Sequence, residues 1–311
     1  MARNPVQFQR GMSLAMFLQR YGCEEQCHEA LISMRWPSGF VCPACAGRSH
    51  SYCKPRRLFQ CSTCGHQASV KAGTIFHRAK VPLTKWFLAI YLLAQSKNDI
   101  SAMELMRQLG VRYDTAWLMK QKIMAAMLEA NAAQKLDGDV QVDDSYLGGV
   151  RSGKGGRGSP NKVPFVAAVE TRHDRPRRAQ LRRLASFKET EVAQWAVIGV
   201  RRSANVVTDG FLPFEIFAKK GYHHNVVLAG SGRPKERTFH WVNTLLGNLK
   251  MSMTGTFHAI RRQHAHRYLA AFEWRFNHRF DLAGAIDALA QTLLTAKPAP
   301  YQCITFAEAS G

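Results

Sequence analysis

Acid is what this sequence has least of: 22 Asp and Glu stand against 43 Lys and Arg, for a formal net charge of +21 and an isoelectric point near 10.0. That imbalance is the footprint of a chain that binds a polyanion. Nucleic acid is the leading partner, and a basic ribosome-associated or membrane-surface protein is the alternative. Long hydrophobic runs are missing as well. The longest, Trp86 to Ala94, is far too short to cross a bilayer, and the opening MARNPVQFQR lacks the apolar core of a targeting peptide. The expectation is a cytoplasmic protein with no membrane partner. Beyond residue 64 cysteine is almost absent, only Cys303 lying outside the first fifth of the chain. This excludes a distributed disulfide scaffold and directs attention to metal. No GxxxxGK[S/T] run occurs, so a nucleotide-binding loop is not expected. With 311 residues, 46% of them hydrophobic, the chain can fill two or three cored domains.

The cysteines fall into two knuckles, CPAC at Cys42 and Cys45 and CSTC at Cys61 and Cys64, with fifteen residues between them. Four thiolates at this spacing complete a tetrahedral shell around Zn²⁺ and can hold together a segment too small to build its own core. Between the knuckles Ser51 to Gln60 reads as one strand carrying Lys54, Arg56 and Arg57, and Gln67 to Lys71 as another. Arg56 and Arg57 are candidate phosphate contacts; the alternative is a zinc site that only braces the fold. Cys23, Cys27 and Cys53 have no knuckle partner and read as packed or free thiols.

From Pro82 to Glu129 apolar residues recur at three and four, the pattern of successive helices. Gly110 interrupts it, and Tyr113-Asp114-Thr115 opens a helix bearing Lys120 and Lys122. Helix, short glycine turn and helix is the outline of a helix-turn-helix, which makes Lys120 and Lys122 candidate DNA contacts, although helical hairpins that only pack look the same.

After the polar stretch Asn131 to Gly138 the texture changes to short apolar runs. Strands are expected at Val140 to Asp143, Val163 to Thr171, Ala179 to Phe187, Asn205 to Thr208 and Asn225 to Leu228, with a helix from Thr190 to Val200 and more helices after His240. Strands in succession followed by alternating helix and strand describe an α/β, RNase H-like mixed sheet within a multidomain protein. Asp143 and Asp209 stand at the ends of two of these strands, where carboxylates can hold a pair of Mg²⁺ or Mn²⁺ ions for phosphodiester chemistry, or simply begin turns. The segment Arg151 to Lys162, RSGKGGRGSPNK, offers Arg151, Lys154, Arg157 and Lys162 to a DNA backbone. Arg275 and Arg279, four residues apart on a late helix, are further candidates. Tyr268, Phe272, Trp274 and Phe276 on that helix read as core.

In this order the motifs RWPSGFVCPAC (Arg35 to Cys45), CSTCGHQASVKAGTIFH (Cys61 to His77), DDSYLGG (Asp143 to Gly149), TDGF (Thr208 to Phe211), GNLK (Gly247 to Lys250) and YLAAFEWRFNHRF (Tyr268 to Phe280) resemble bacterial insertion-sequence transposases with a zinc ribbon ahead of a DDE nuclease domain. The resemblance implies structural Zn²⁺, catalytic Mg²⁺ or Mn²⁺, and double-stranded DNA partners in the form of element ends and target. It also implies action as a homo-oligomer on DNA. Asp143 and Asp209 match the first two family acids, and the third falls on Asn243, whose amide oxygen can ligate but brings no charge. Glu236 and Glu273 are the nearest substitutes. Lys250, two turns after Asn243, would contact phosphate; His240 and His258 are weaker candidates. The expected division is 1–36 N-terminal helices, 37–78 zinc ribbon, 79–130 helix-turn-helix-like region, 138–290 RNase H-like domain and 291–311 tail. The rival to an active transposase is a transposase-derived DNA-binding protein or regulator that has lost catalysis at Asn243.

Overall fold

The computed structural model of the chain describes residues 6, 8–148, 162–228, 238–257 and 260–305. These form two compact units. One comprises the chain up to Ser96, Ala102–Ala126 and Phe280–Thr305; the other comprises Lys97–Ser101 and Met127–Arg279.

The first unit opens with α1 (Leu14–Tyr21), capped by Ser13, whose hydroxyl accepts from the Met16 N–H at 3.2 Å, and α2 (Glu24–Arg35). The ribbon follows as an antiparallel sheet of β1 (His50–Cys53), β2 (Leu58–Cys61) and the two-residue β3 (Gln67–Ala68). The single strand expected over 51–60 is therefore a hairpin. Pro55 has no N–H for a ladder, Lys54–Arg56 closes into a 3-10 turn, and Arg57 turns the chain at φ 52°. Three helices come next: α3 (Leu83–Gln95), α4 (Ala102–Leu109) and α5 (Tyr113–Asn131), with Gly110 at φ 58° ending α4. The helix Ala285–Thr295 buries Ile286, Leu289, Ala290 and Leu293 and packs with α2 and α3. It is tied there by Ile75 N–H to Leu293 O at 3.2 Å and Arg20 to Asp287 at 2.8 Å. It thus crosses the boundary drawn at 290 and joins the N-terminal helices.

The second unit is built on a five-stranded mixed sheet of order β6-β5-β4-β7-β8. Its strands are β4 (Asp139–Leu147), β5 (Val163–Arg172), β6 (Arg175–Arg183), β7 (Asn205–Thr208) and β8 (His223–Val226). The first three form an antiparallel meander, and β7 and β8 join parallel to β4. One face is covered by α6 (Glu189–Gly199) and α7 (Ile216–Lys219), with Trp195, Phe214 and Phe217 over Val140, Val142 and Val206. Over the other lie α8 (His240–Thr256) and α9 (Ala265–Asn277), placing Val242, Leu245, Leu249, Leu269 and Phe272 over Leu147, Phe165 and Val169. Period-two alternation assigns each β4 side chain to one of these cores. Three expectations shift: the third strand lies over Arg175–Arg183 rather than 179–187, the last over His223–Val226 rather than 225–228, and β4 runs past Asp143 to Leu147.

Candidate functional site

The ribbon gathers its four cysteines as their spacing required. The four sulfurs lie within 4.8 Å of one another, with Cys42 Sγ to Cys64 Sγ at 3.7 Å and Cys45 Sγ to Cys61 Sγ at 3.6 Å. Tetrahedral Zn–S bonds of about 2.3 Å put sulfurs about 3.8 Å apart, so the cage fits zinc. Each knuckle closes through a backbone bond, Ala46 N–H to Cys42 O at 2.9 Å and Gly65 N–H to Cys61 O at 3.0 Å. The N–H groups of Cys64 and Thr63, aimed at the Cys61 sulfur, bring its thiol down to about 6, toward the thiolate a metal needs. Gly47 lies against the cage, where a Cβ would stand 3.3 Å from the sulfurs of Cys45 and Cys61. Cys27 is buried and donates to Tyr21 O at 3.2 Å, and burial pushes its thiol up to about 12, so it is a packed thiol.

The two aspartates lie on, and just past the end of, neighbouring strands of the sheet. Asp143 lies in mid-strand on β4, on the face of Leu147 and Gln141 that looks toward α8. β7 runs parallel beside β4 in the register Gln141↔Val207. Asp143 lies two residues beyond the last paired residue of β4, and Asp209 stands just past the end of β7, two residues beyond its partner Val207. Asp209 ends its strand in a turn, its Oδ1 accepting from Phe211 N–H at 3.2 Å. The next residue has to be glycine: Gly210 has φ 83°, and a Cβ there would stand 2.5 Å from Leu228 Cδ2. Asp144, on the opposite face, donates its backbone N–H to Asp143 Oδ1 at 2.8 Å.

Sequence reasoning missed the residue that brings a helix to this pair. Gln141, an amide at a buried position of β4, accepts the N–H groups of Trp241 and Val242 at 3.1 Å each. This clips the first turn of α8 onto the strand one inward position before Asp143. Asn243 follows in that turn, exposed beside the buried Val242. Lys250 is also exposed, seven residues or about 10 Å further along the helix. A polar residue in an otherwise apolar strand was the available signal. Glu273 is occupied elsewhere, beneath the edge strand β6, where it accepts Leu181 N–H at 2.8 Å and burial pushes its carboxyl up to about 8. Glu236 and His258 lie outside the described residues.

Residues 22–67 match the transposase zinc-ribbon domain and residues 135–277 match the ISXO2-like transposase domain. The chain thus carries matches to a transposase zinc ribbon and, after it, to an ISXO2-like transposase domain. It is also similar to a Halobacterium salinarum protein described as an uncharacterized protein in transposable element ISH50, 25% identical over 289 residues that cover 84% of this chain and 93% of the relative. That relative is archaeal, so it lends nothing to the bacterial origin expected from the motifs. The four cysteines lie within the first matched stretch, and Asp143, Asp209 and Asn243 within the second.

The cations of this chain are less uniformly available than their sequence positions implied. Arg56 is exposed at the tip of the ribbon hairpin beside Lys54. Arg57 instead pairs with Glu25 at 2.8 Å and Glu24 at 3.5 Å. Lys120 and Gln121 are buried, and Lys122 is half-buried with its ammonium pKa lowered by desolvation. The body of α5 is therefore a packed helix, and Lys120 does not face a phosphate. On α9 the Arg275 side chain is only 8% exposed and pairs with Asp99 at 3.3 Å. Arg279 donates to Pro176 O at 2.6 Å and Arg177 O at 3.2 Å. Both are internal braces, since helical spacing alone could not show that α9 lies along a strand edge. Lys162 is half-buried, and Arg151, Lys154 and Arg157 lie outside the described residues. Trp274 and Phe272 are core, with Tyr268 and Phe276 packed against it. Among the described residues no helix is long and apolar enough to cross a membrane.

Proposed function

We propose that this protein binds the ends of its mobile element as double-stranded DNA, cuts them, and joins the freed 3′-hydroxyl to target DNA with Mg²⁺ or Mn²⁺. The observation that supports this most is the placement of Asp143 on β4 and of Asp209 just past the end of the neighbouring parallel strand β7, with the helix turn that bears Asn243 clipped to β4 by Gln141. The strand order, an antiparallel meander with two parallel strands added to its first, supports the reading of the sheet as RNase H-like and of its chemistry as DDE-type.

Asp143 and Asp209 supply two carboxylates, and Asn243 a neutral amide oxygen, to the same place. Divalent ions held there activate the attacking hydroxyl and stabilise the leaving oxygen. Lys250, exposed on the helix of Asn243, contacts a phosphate as a point charge. Ribbon cations at Lys54 and Arg56 contact the element end, and two ends are brought together by a homo-oligomer. Joining a labelled element end to a target plasmid by the full chain tests the reading. Metal-dependent cleavage and joined product, both lost in Asp143→Ala and Asp209→Ala, are expected; product undiminished in both variants overturns it. The uncharged Asn243 favours one rival, a DNA-binding protein without catalysis, which predicts tight binding to the ends and no cleavage with either metal.

A further inference from the structure

Strand β6 carries five arginines in nine residues, at 175, 177, 178, 182 and 183, a concentration the reading of the site above does not use. Charge on an edge strand ordinarily guards against pairing with another sheet. Here that edge is already covered. Side chains of α9 satisfy it, with Leu181 N–H to Glu273 at 2.8 Å, Ala179 N–H to Asn277 Oδ1 at 2.8 Å and Asn277 Nδ2 to Ala179 O at 3.0 Å. The arginines have no guarding left to do.

Their position is informative. The registers Ser145↔Phe165 and Phe165↔Arg183 set Arg183 two residues beyond the level of Asp143, at the same end of the sheet and two strands away. At that end η-turn residues 262–264 lead into α9, and the electrostatic field at His266 comes from Arg267, Arg183, His264 and Arg182 together. Burial, reinforced by these cations, lowers the imidazole to about 4, the mark of a strongly positive corner. Arg182, Arg261 and Arg262 are exposed, and among the described residues no carboxylate lies within ion-pair distance of them. The acid nearest in effect, Glu273, is buried and favours its neutral form. Such crowding of like charge is self-repulsive unless an anion meets it.

We propose that Arg182, Arg261 and Arg262, at the corner where β6 ends and α9 begins, form a phosphodiester-binding site that seats the backbone of duplex DNA at the end of the sheet toward which β4 runs past Asp143. The site rests on the reading of this protein as a DNA-processing transposase and adds where the duplex lies as it approaches the carboxylates. Contacts of this kind position DNA and carry no sequence information.

The test is titration of a 30-base-pair duplex of arbitrary sequence with the full zinc-loaded chain, without added Mg²⁺ or Mn²⁺, across a salt series. The triple variant Arg182→Ala/Arg261→Ala/Arg262→Ala is expected to bind about tenfold or more weakly, with the slope of log K against log salt shallower by about 2 to 3. The corresponding triple lysine variant should keep the wild-type slope. An alanine variant with unchanged affinity and slope overturns the corner and leaves the proposed function standing. A lysine variant as defective as the alanine one makes these residues structural and also overturns it. Wild-type protein that binds no duplex overturns both.

Discussion

In the ribbon the buried cluster is five residues, Phe40, Cys42, Phe59, Cys61 and Ala68, and two of the five are zinc ligands. The sheet has sixteen buried residues on each face, and none of them is Asp143, Asp209 or Asn243. The contrast shows how closely a functional group is bound to the stability of its own fold. The ribbon cannot close without its ligands, whereas the sheet stands on Trp195, Phe214, Phe165 and Leu249 and does not draw its packing from its two aspartates.

The largest effect should come from Cys61→Ser. Structural zinc contributes on the order of 10 kcal/mol to folding of such modules, so metal content should fall from about one zinc per chain to near zero, and limited proteolysis should open the ribbon while the sheet stays protected. Asp143→Ala should do the reverse. Strand cleavage should fall by about 10³-fold or more, on the order of 4 kcal/mol in the barrier, with zinc content and thermal midpoint unchanged.

A smaller effect concerns Glu273, an acid of the second unit that does belong to the packing. Its carboxyl, ordinarily near 4.5, is pushed up to about 8 by burial, partly offset by the Leu181 N–H. Its contribution to stability is fully present below pH 4.5, is lost as pH rises, and is gone once pH passes the folded-state value near 8. Glu273→Gln keeps an acceptor for Leu181, so its thermal midpoint should fall less than that of wild type between pH 5 and pH 8; parallel curves would contradict this. The smallest effect is in the first knuckle. Ala46 has φ 59° where the second knuckle has Gly65 at φ 72°, so Ala46→Gly should stabilise the ribbon by up to about 1 kcal/mol, measured as slower loss of zinc to a chelator.

The same contrast explains what could be read in advance. The zinc cage was legible because four ligands lie within one short stretch and their spacing alone fixes the geometry. The sheet was legible in outline, since runs such as VPFVAAVE and NVVT declare strands. The site within it was only half legible. Asp143 and Asp209 could be named, but their placement on and just past neighbouring strands depends on the parallel register of β4 and β7, 66 residues apart in sequence. The clip of Gln141 on α8 is likewise a contact over 100 residues. The arginines at 275 and 279 misled because a helix pattern gives a face and not the neighbour it meets, here Asp99 and the edge of β6. Lys120 misled for the same reason: its helix is buried on nearly all sides.

The central claim is that Asp143, Asp209 and Asn243 act as one ligand set for divalent metal. Strand transfer of a labelled element end in Mg²⁺ or Mn²⁺ tests it most directly, comparing wild type with Asp143→Ala, Asn243→Ala and Asn243→Glu. Active wild type and loss of product in both alanine variants is the predicted result. Activity untouched by Asn243→Ala, or absent from every protein except Asn243→Glu, would contradict it, the first by removing Asn243 from the site and the second by showing a transposase whose third ligand no longer works.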